Sequence, residues 1–515
     1  MSQLRFSVIT PVYNPVFSQL RDCLRSARGP GIEHILVLDG VHNVRSLKRL
    51  KRLVASFGAR LLVNEQGQGI SAASNKAVES ASGEFLVFLD QDDFLEECWW
   101  QPLLVSIENS DFVYSDSFHA NLAGNPLSIQ RKPDWSPTRL IFNMYATHFM
   151  VVRKTIFEQV GGFRSKFDGS QDHDLALRVS QITTRFTHIP IPLYSWRRSA
   201  ASVSTNPDNK DWAYEAGVAA AKDHLESFGL SAEVERVKDV HPGAMRAQFA
   251  ERQNAVSVVV PTAFGTDLSG LLWVEKMFRT LSPFLRPELG DEIVFVHGGE
   301  YDSGFLGRAR SASALRIRAV QDDNPFSFSR RSNIGFTVAE NEHVLLLNDD
   351  VEFGDSNPFS SLFALLNLPN VGLVGGLLAF EDFSIQHGGH FFMNRLPSHL
   401  AYEAKSIDHG LFDLIVDREV VGVTGALMFQ LKSTWQAVGG FSLSLPLSYN
   451  DVDYCQKIRT LGFQIVQANS VTAIHHESLT REPIAEKWEK AHITMRWSDM
   501  MAHDGYSAPY RRLSN

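Results

Sequence analysis

At 515 residues, with 44% apolar and 21% charged side chains, the chain is globular in composition and long enough for two or three domains. Its net charge of −9 argues against a nucleic-acid backbone as the main partner, which favours a basic face. Three cysteines, Cys23, Cys98 and Cys455, form neither a metal-ligand spacing nor a disulfide framework, which fits a reduced, cytosolic compartment. The opening MSQLRFSVITPVYN runs directly into a strand without the basic, apolar and small segments of a secretion signal. The longest apolar run, VGLVGGLLAF, falls well short of the ~20 residues of a membrane helix. The expectation is a cytoplasmic protein, soluble or at most peripheral to the inner face of the cell membrane.

In chain order, FSVITPVYN is a β-branched run closed by proline, the pattern of a buried strand entering a loop. LKRLKRLVASF (47–57) has the spacing of a basic amphipathic helix, either a solvated face over the first sheet or a contact for anionic membrane. GISAASNKAVESASG is a small, polar helix start. GEFLVFLDQDDFLEE (83–97) then predicts a buried strand that stops on Asp90, Asp92 and Asp93. Three carboxylates so close cost energy unless a cation, a ligand or water offsets them. Trp99-Trp100 is either the core of the next helix or a stacking face for a sugar ring. Further on, NPDNKDWAYEAGVAAAKDHLESFGL predicts one helix, with Pro207 at its first position and Gly229 at its stop.

From Val256 the same landmarks return in the same order. FSVITPVYN is matched by VSVVVPTAF, and GEFLVFLDQDD by NEHVLLLNDDVEF with Asn348, Asp349 and Asp350. Asn75 and Asn333 hold equivalent places in the helix starts upstream. FEQVGGF with QDHDLALRV is matched by WQAVGGF with NDVDYCQKIR, all offset by about 250–280 residues. The chain therefore predicts two related α/β domains, residues 1–205 and 251–515, joined by a helical linker over 206–250. In doubly wound α/β folds, ligands bind beyond the carboxyl ends of the strands, where Asp90, Asp92 and Asp93 fall. Carboxylates there suit Mg²⁺ or Mn²⁺, which can neutralise a departing diphosphate.

The order ITPVYN, VLDG, NKA, FLDQDD, VGGF, QDHDLALR resembles the family 2 glycosyltransferases of GT-A fold. The second half, with LLLNDDVEF, QHGGH, VTGALMF, VGGF, YNDVDYCQKIR and IHHES, is similar to the same family, and the pair is most like two-domain enzymes of O-antigen and other surface polysaccharides. The resemblance implies two tandem GT-A domains with mostly parallel, Rossmann-like sheets. It also implies inverting transfer of a sugar from a nucleotide-diphosphate donor to a glycan or lipid-linked acceptor. By the same resemblance, Asp90, Asp92 and Asp350 hold the metal with His475. Asp172 and Asp451 serve as general bases, and Asp174 and Asp453 cap or orient. Pro11, Tyr13, Asp39, Asn75, Asp90, Pro261, Asn333, Asn348 and Asp349 bind the nucleotide-sugar.

The halves depart from the pattern differently. The second places His297 where the first has Asp39, the acid that meets the donor nucleoside. The first lacks the late histidine and offers Arg197 or Arg198 for the diphosphate, unless these are a surface pair. His387, His390 and His399 invite a zinc assignment, but Gly388 and Gly389 argue against a helix, and the expectation is a loop near the acceptor. The absence of G-x-G-x-x-G after the first strand disfavours a dinucleotide oxidoreductase. Two active domains, one active domain beside a degenerate scaffold, and a non-catalytic carbohydrate-binding protein remain as alternatives.

Overall fold

The computed structural model describes residues 5–41, 43–198, 211–238, 241, 243–299, 303–404, 412–476 and 486–507. The chain divides into two compact units. One takes residues up to Ser227 together with Val234–Met245; the other takes Phe228–Glu233 and Arg246–Ser507. Among the described residues no helix is long and apolar enough to cross a membrane.

In the first unit, β1 (Phe6–Val12), β2 (Ile32–Asp39), β3 (Arg60–Asn64), β4 (Phe85–Phe88), β5 (Phe94–Leu95), β6 (Phe112–Ala120), β7 (Pro126–Gln130), β8 (Met150–Arg153) and β9 (Phe186–Arg197) build one sheet. Its order is β3-β2-β1-β4-β8-β6-β9-β5, with β7 also paired to β6. The four strands β3-β2-β1-β4 are parallel, which is why β1 and β4 are apolar on both faces: helices cover both sides. β8 runs antiparallel to β4 and β6, and β9 parallel to β6. Parallel pairing puts the carboxyl ends of β1, β2 and β4 on one edge, so Tyr13, Asp39 and Asp90 leave the sheet there.

The core explains several sequence features. Trp99 is fully buried, meets Phe6 and Phe149 edge-on, and donates its indole N–H to the Ser26 carbonyl at 3.1 Å. It is therefore core, not a sugar platform, and Trp100 packs at a right angle to it. In the helix Val44–Ser56, Leu50 and Val54 are buried while Arg45, Lys48, Arg49, Lys51 and Arg52 face solvent. The helix Asp211–Ser227 is not a free linker. It packs within the first unit through an Arg164–Asp223 ion pair of 2.7 Å and a Ser170 hydroxyl donating to the Ala213 carbonyl at 2.6 Å. Pro207, expected at its start, lies outside the described residues.

A hairpin of β10 (Ala232–Arg236) and β11 (Met245–Phe249) follows in sequence. The second unit then adds β12 (Val256–Pro261), β13 (Glu292–His297), β14 (Arg316–Gln321), β15 (His343–Leu347), β16 (Val351–Phe353), β17 (Val371–Ala379), β18 (Ile385–His387), β19 (His390–Met393), β20 (Leu396–His399), β21 (Arg418–Val420), β22 (Leu427–Leu431) and β23 (Gln464–His475). Its main sheet runs β14-β13-β12-β15-β22-β17-β23-β16. Along this path it repeats the order of the first sheet with the same parallel and antiparallel partners; β18 pairs β17 as β7 pairs β6, and β21 is an additional strand on β23. β19 and β20 form a separate hairpin, so the segment around QHGGH is strand rather than loop.

Candidate functional site

The repeated asparagines have a structural task. The Asn75 amide donates to the Phe163 carbonyl at 2.8 Å and accepts from the Phe163 N–H at 2.9 Å. Asn333 does the same with Phe441 at 2.9 and 2.8 Å and also accepts from the Trp435 indole at 3.1 Å. Each asparagine thus clasps the turn formed by the VGGF sequence of its own unit. The turn needs glycine twice over: φ is +70° at Gly162 and +68° at Gly440, and a Cβ there would lie 2.8 and 2.6 Å from the asparagine oxygen. The clasp engages the side-chain amides of both Asn75 and Asn333.

In the first unit the acidic strand end separates into distinct environments. Asp93 is buried and accepts from the Tyr194 hydroxyl and the Arg197 N–H, both at 2.7 Å. Burial, and then the Asp90 and Asp92 charges, push its pKa well above the usual carboxylate range. Asp90 and Asp92 stay partly exposed at the edge. Arg197 is buried and not free for a diphosphate. It donates to the Asp92 carbonyl at 2.6 Å, pairs with Asp22 at 2.8 Å and lies over the Phe94 ring. Arg198 is exposed. The Gln91 side chain grips the Tyr13 backbone at both its N–H (3.0 Å) and carbonyl (2.7 Å), tying the β1 loop to the acidic loop. Pro11 and Pro261 lie within paired strands and have no N–H to offer a ligand.

In the second unit, Asn348, Asp349 and Asp350 follow β15, and β23 brings His475 among them. His475 Nε2 lies 3.1 Å from Asp350 Oδ1 and 3.2 Å from Asn348 Nδ2. Its Nδ1 donates to Gln386 Oε1 at 2.7 Å, which fixes the tautomer and directs the Nε2 lone pair at the acidic group. Asp349 accepts from the Thr262 hydroxyl at 2.6 Å; burial, then the Asp350 charge, push it up to about 7. His476 is engaged elsewhere, between Glu352 at 2.7 Å and Glu381 at 2.5 Å.

The two paired acids of each unit play different parts. Asp174 is buried in an ion-pair cluster with Arg164 and Arg178, and Asp453 accepts from Ser442 and Trp497 and pairs with Arg496. Asp172 and Asp451 stand at the first turns of helices Gln171–Ser180 and Asn450–Thr460. Burial raises the Asp172 pKa, opposed by His148 and by the His173 N–H at 2.8 Å. Asp451 accepts from the Gly425 and Val452 N–H groups at 3.2 and 2.8 Å. His148 was not foreseen. It precedes β8, stacks on Tyr194 at 5.1 Å, and senses both Asp172 and Asp92.

Asp39 is buried at the end of β2, and both its oxygens are taken by Asn64 Nδ2, the Gln68 N–H and the Gly69 N–H at 2.9–3.0 Å. It anchors the N-terminus of helix Ile70–Glu79 through the Gln68 and Gly69 N–H groups. A cavity of about 260 Å³, lined by Asn14, Phe17, Gly40, Val41 and Asn43, lies beside it. In the second unit His297 is buried, and the equivalent anchor is Asp322, one strand over after β14. It accepts from Arg330 Nη2 at 3.0 Å and from the Asn324 amide at 2.9 Å, and these bonds bring it down to about 2 despite burial.

Residues 7–164 match the family model described as glycosyl transferase family 2. The chain is 29% identical over 496 residues to a Sinorhizobium fredii protein, y4gI, covering 92% of this chain and 53% of that one. It is 28% identical over 497 residues to the O-antigen biosynthesis protein RfbC of Myxococcus xanthus, covering 94% and 38%. The chain thus spans about half or less of the length of these relatives. Among solved structures, Staphylococcus aureus TarS aligns over 43% of this chain and 39% of its own, at 18% identity and a TM-score of 0.35. The family match thus falls within the first unit, whose main sheet order the second unit repeats.

Proposed function

We propose that the chain transfers sugars from nucleotide-diphosphate donors to a growing bacterial surface glycan, with inversion at the sugar carbon. The observation that carries this reading is the convergence, at one strand end of the second unit, of Asn348, Asp349, Asp350 and His475, with Asp451 as a separate acid on the same unit. The Asp350 carboxylate and the His475 imidazole beside it, with Asn348 next to them, offer donors suited to Mg²⁺ or Mn²⁺. Asp350 and His475, 3.1 Å apart, would hold the cation in the second unit, and Asp90 and Asp92 would hold it in the first. The cation supplies positive charge to the departing diphosphate. The chain's own residues do the rest. Asp172 or Asp451 takes the proton of the acceptor hydroxyl, and a carboxyl whose pKa is raised by burial, as at Asp172, is a better base than an exposed one. The cavity beside β2 suits the donor's base. The O-antigen role of the Myxococcus relative supports a polysaccharide acceptor, lipid-linked in the case we favour, with the exposed basic helix Val44–Ser56 as its membrane contact.

The reading of both units as active rests on the repeated edge; one active unit beside a scaffold is the second case. The test is a panel of nucleotide-sugars with Mg²⁺ or Mn²⁺, following nucleoside diphosphate release by wild type, Asp172→Asn and Asp451→Asn. Loss of a different product in each variant establishes two sites. Donors that neither bind nor turn over with the folded protein refute the transferase reading.

A further inference from the structure

The second unit has a cluster that the transfer chemistry leaves unused. The chain reverses at Asn394-Arg395, both with positive φ (53° and 61°), a two-residue hairpin turn that sets β19 against β20. In that register His390 pairs directly with His399. His387 joins them from β18 across Gly388-Gly389. There is no room for side chains at these glycines: a Cβ at Gly388 would lie 2.4 Å from Leu414, and one at Gly389, where φ is +100°, 2.7 Å from Val420. Arg418 holds the turn by donating to the Gly388 carbonyl at 2.8 Å.

The three imidazoles form a near-equilateral triangle. Ring centroids stand 4.9, 4.8 and 5.1 Å apart, and the ring planes meet at 84°, 76° and 82°. One nitrogen from each ring lies within 4.8 Å of the other two, and His387 Nδ1 is 2.8 Å from His399 Nδ1. A tetrahedral Zn²⁺ with Zn–N of about 2.0–2.1 Å places the centres of three ligating rings about 5 Å apart, the spacing found here. His390 Nδ1 is buried without a hydrogen-bond partner. Its Nε2 faces Asp451 Oδ2 at 4.0 Å, a carboxylate in the direction of the remaining N–H but beyond hydrogen-bond distance.

We propose that His387, His390 and His399 form a binding site for a transition metal of the Zn²⁺ class, separate from the acidic strand end. Three neutral nitrogen donors and no carboxylate select Zn²⁺ over Mg²⁺. Without metal, the Thr424 N–H donates to His387 Nε2 at 3.1 Å; ligation through Nδ1 moves the ring proton to Nε2, sets it against that N–H, and so requires this contact to open. Three nitrogen ligands leave the fourth position for water or an acceptor oxygen, reached from the solvent-facing His399 end of β20. The two metal sites adjoin on β18, where Gln386 orients His475 and His387 belongs to the triad.

The test uses untagged full-length protein stripped with chelator, titrated with ZnCl₂ against a chromogenic chelator in saturating Mg²⁺. The expected result is one Zn²⁺ per chain, bound at least about tenfold more weakly in His390→Gln and His399→Ala but unchanged in Asp350→Asn. Co²⁺ in place of Zn²⁺ should give visible d–d absorption that the same two variants abolish. If His399→Ala fails to fold in chelator, His399→Gln carries the same test. Absence of bound Zn²⁺, binding that survives both histidine variants, or binding lost only with Asp350→Asn overturns the proposal. None of these measurements needs a sugar donor, so they stand whether or not the transferase reading does.

Discussion

Replacing Asn333 by alanine separates the clasp from the nucleotide contact that its sequence position suggests. The substitution removes three hydrogen bonds: those to the N–H and carbonyl of Phe441, which is buried, and that to the Trp435 indole. Leaving a desolvated polar group unpaired costs about 1–3 kcal/mol, and water entering the gap relieves part of it, so the expected loss is about 3–5 kcal/mol. At a urea slope of about 2–3 kcal/mol per molar, the unfolding midpoint of the second unit falls by roughly 1–2 M. Trp435, stacked on Phe336 at 5.3 Å, is the fluorescent reporter. Asn333→Asp keeps the acceptor but sets an oxygen against the Phe441 carbonyl, so it also destabilises. Donor affinity, measured below the transition, should change less than about twofold in either variant. An unchanged midpoint with donor binding weakened more than about tenfold would refute the clasp.

Other outcomes follow from the same geometry. Asp172→Asn should lower turnover by the first unit by about 10²–10⁴ without lowering its melting temperature, because the burial that raises the Asp172 pKa already penalises the charge. Retained turnover would remove Asp172 from the base role. Metal affinity of the second unit, read by calorimetry in an Asp92→Asn background, should fall about tenfold from pH 8 to pH 6, since Asp349, whose charge acts beside Asp350, must lose a proton with pKa about 7. The sign for stability is opposite. A carboxyl raised in the folded state destabilises the metal-free protein as pH rises from the usual carboxylate range through about 7, and bound metal cancels that loss. A flat affinity profile would contradict the assignment. Arg197→Met should cost about 2–4 kcal/mol, since Asp22 and the Asp92 carbonyl lose a buried partner, and should weaken metal binding in the first unit. Wild-type stability and metal binding would restore the exposed-arginine expectation.

The tandem plan was legible because hydrophobic runs, prolines and the twin VGGF turns recur in order, and sheets obey such patterns. The strand-end position of Asp90 and Asp349 was equally plain. What sequence could not show is which distant donors fold back onto a side chain. Asn75 and Phe163 are 88 residues apart, and Asn333 and Phe441 are 108 apart. Asp39 looked available because the Gln68 and Gly69 N–H groups that consume it belong to a loop with no pattern of its own. Arg197 looked exposed because burial at the end of β9 depends on β5 pairing beside it. The histidine triangle was hidden by its turn: Asn394-Arg395 adopts the conformation usually marked by Asn-Gly, so neither the hairpin nor its His390–His399 register announced itself.

The migration of the helix anchor from Asp39 on β2 to Asp322 beyond β14 has a practical corollary. One sheet order tolerates its loop-fixing carboxylate on either of two neighbouring strands, so the edge behaves as a row of interchangeable sockets and the asparagine clasp as the fixed frame. Exchanging the segment from β2 through helix Ile70–Glu79 for that from β13 through helix Phe328–Val338 should therefore give folded chimeras. Whatever such chimeras gain or lose in donor preference can then be assigned to the grafted edge alone.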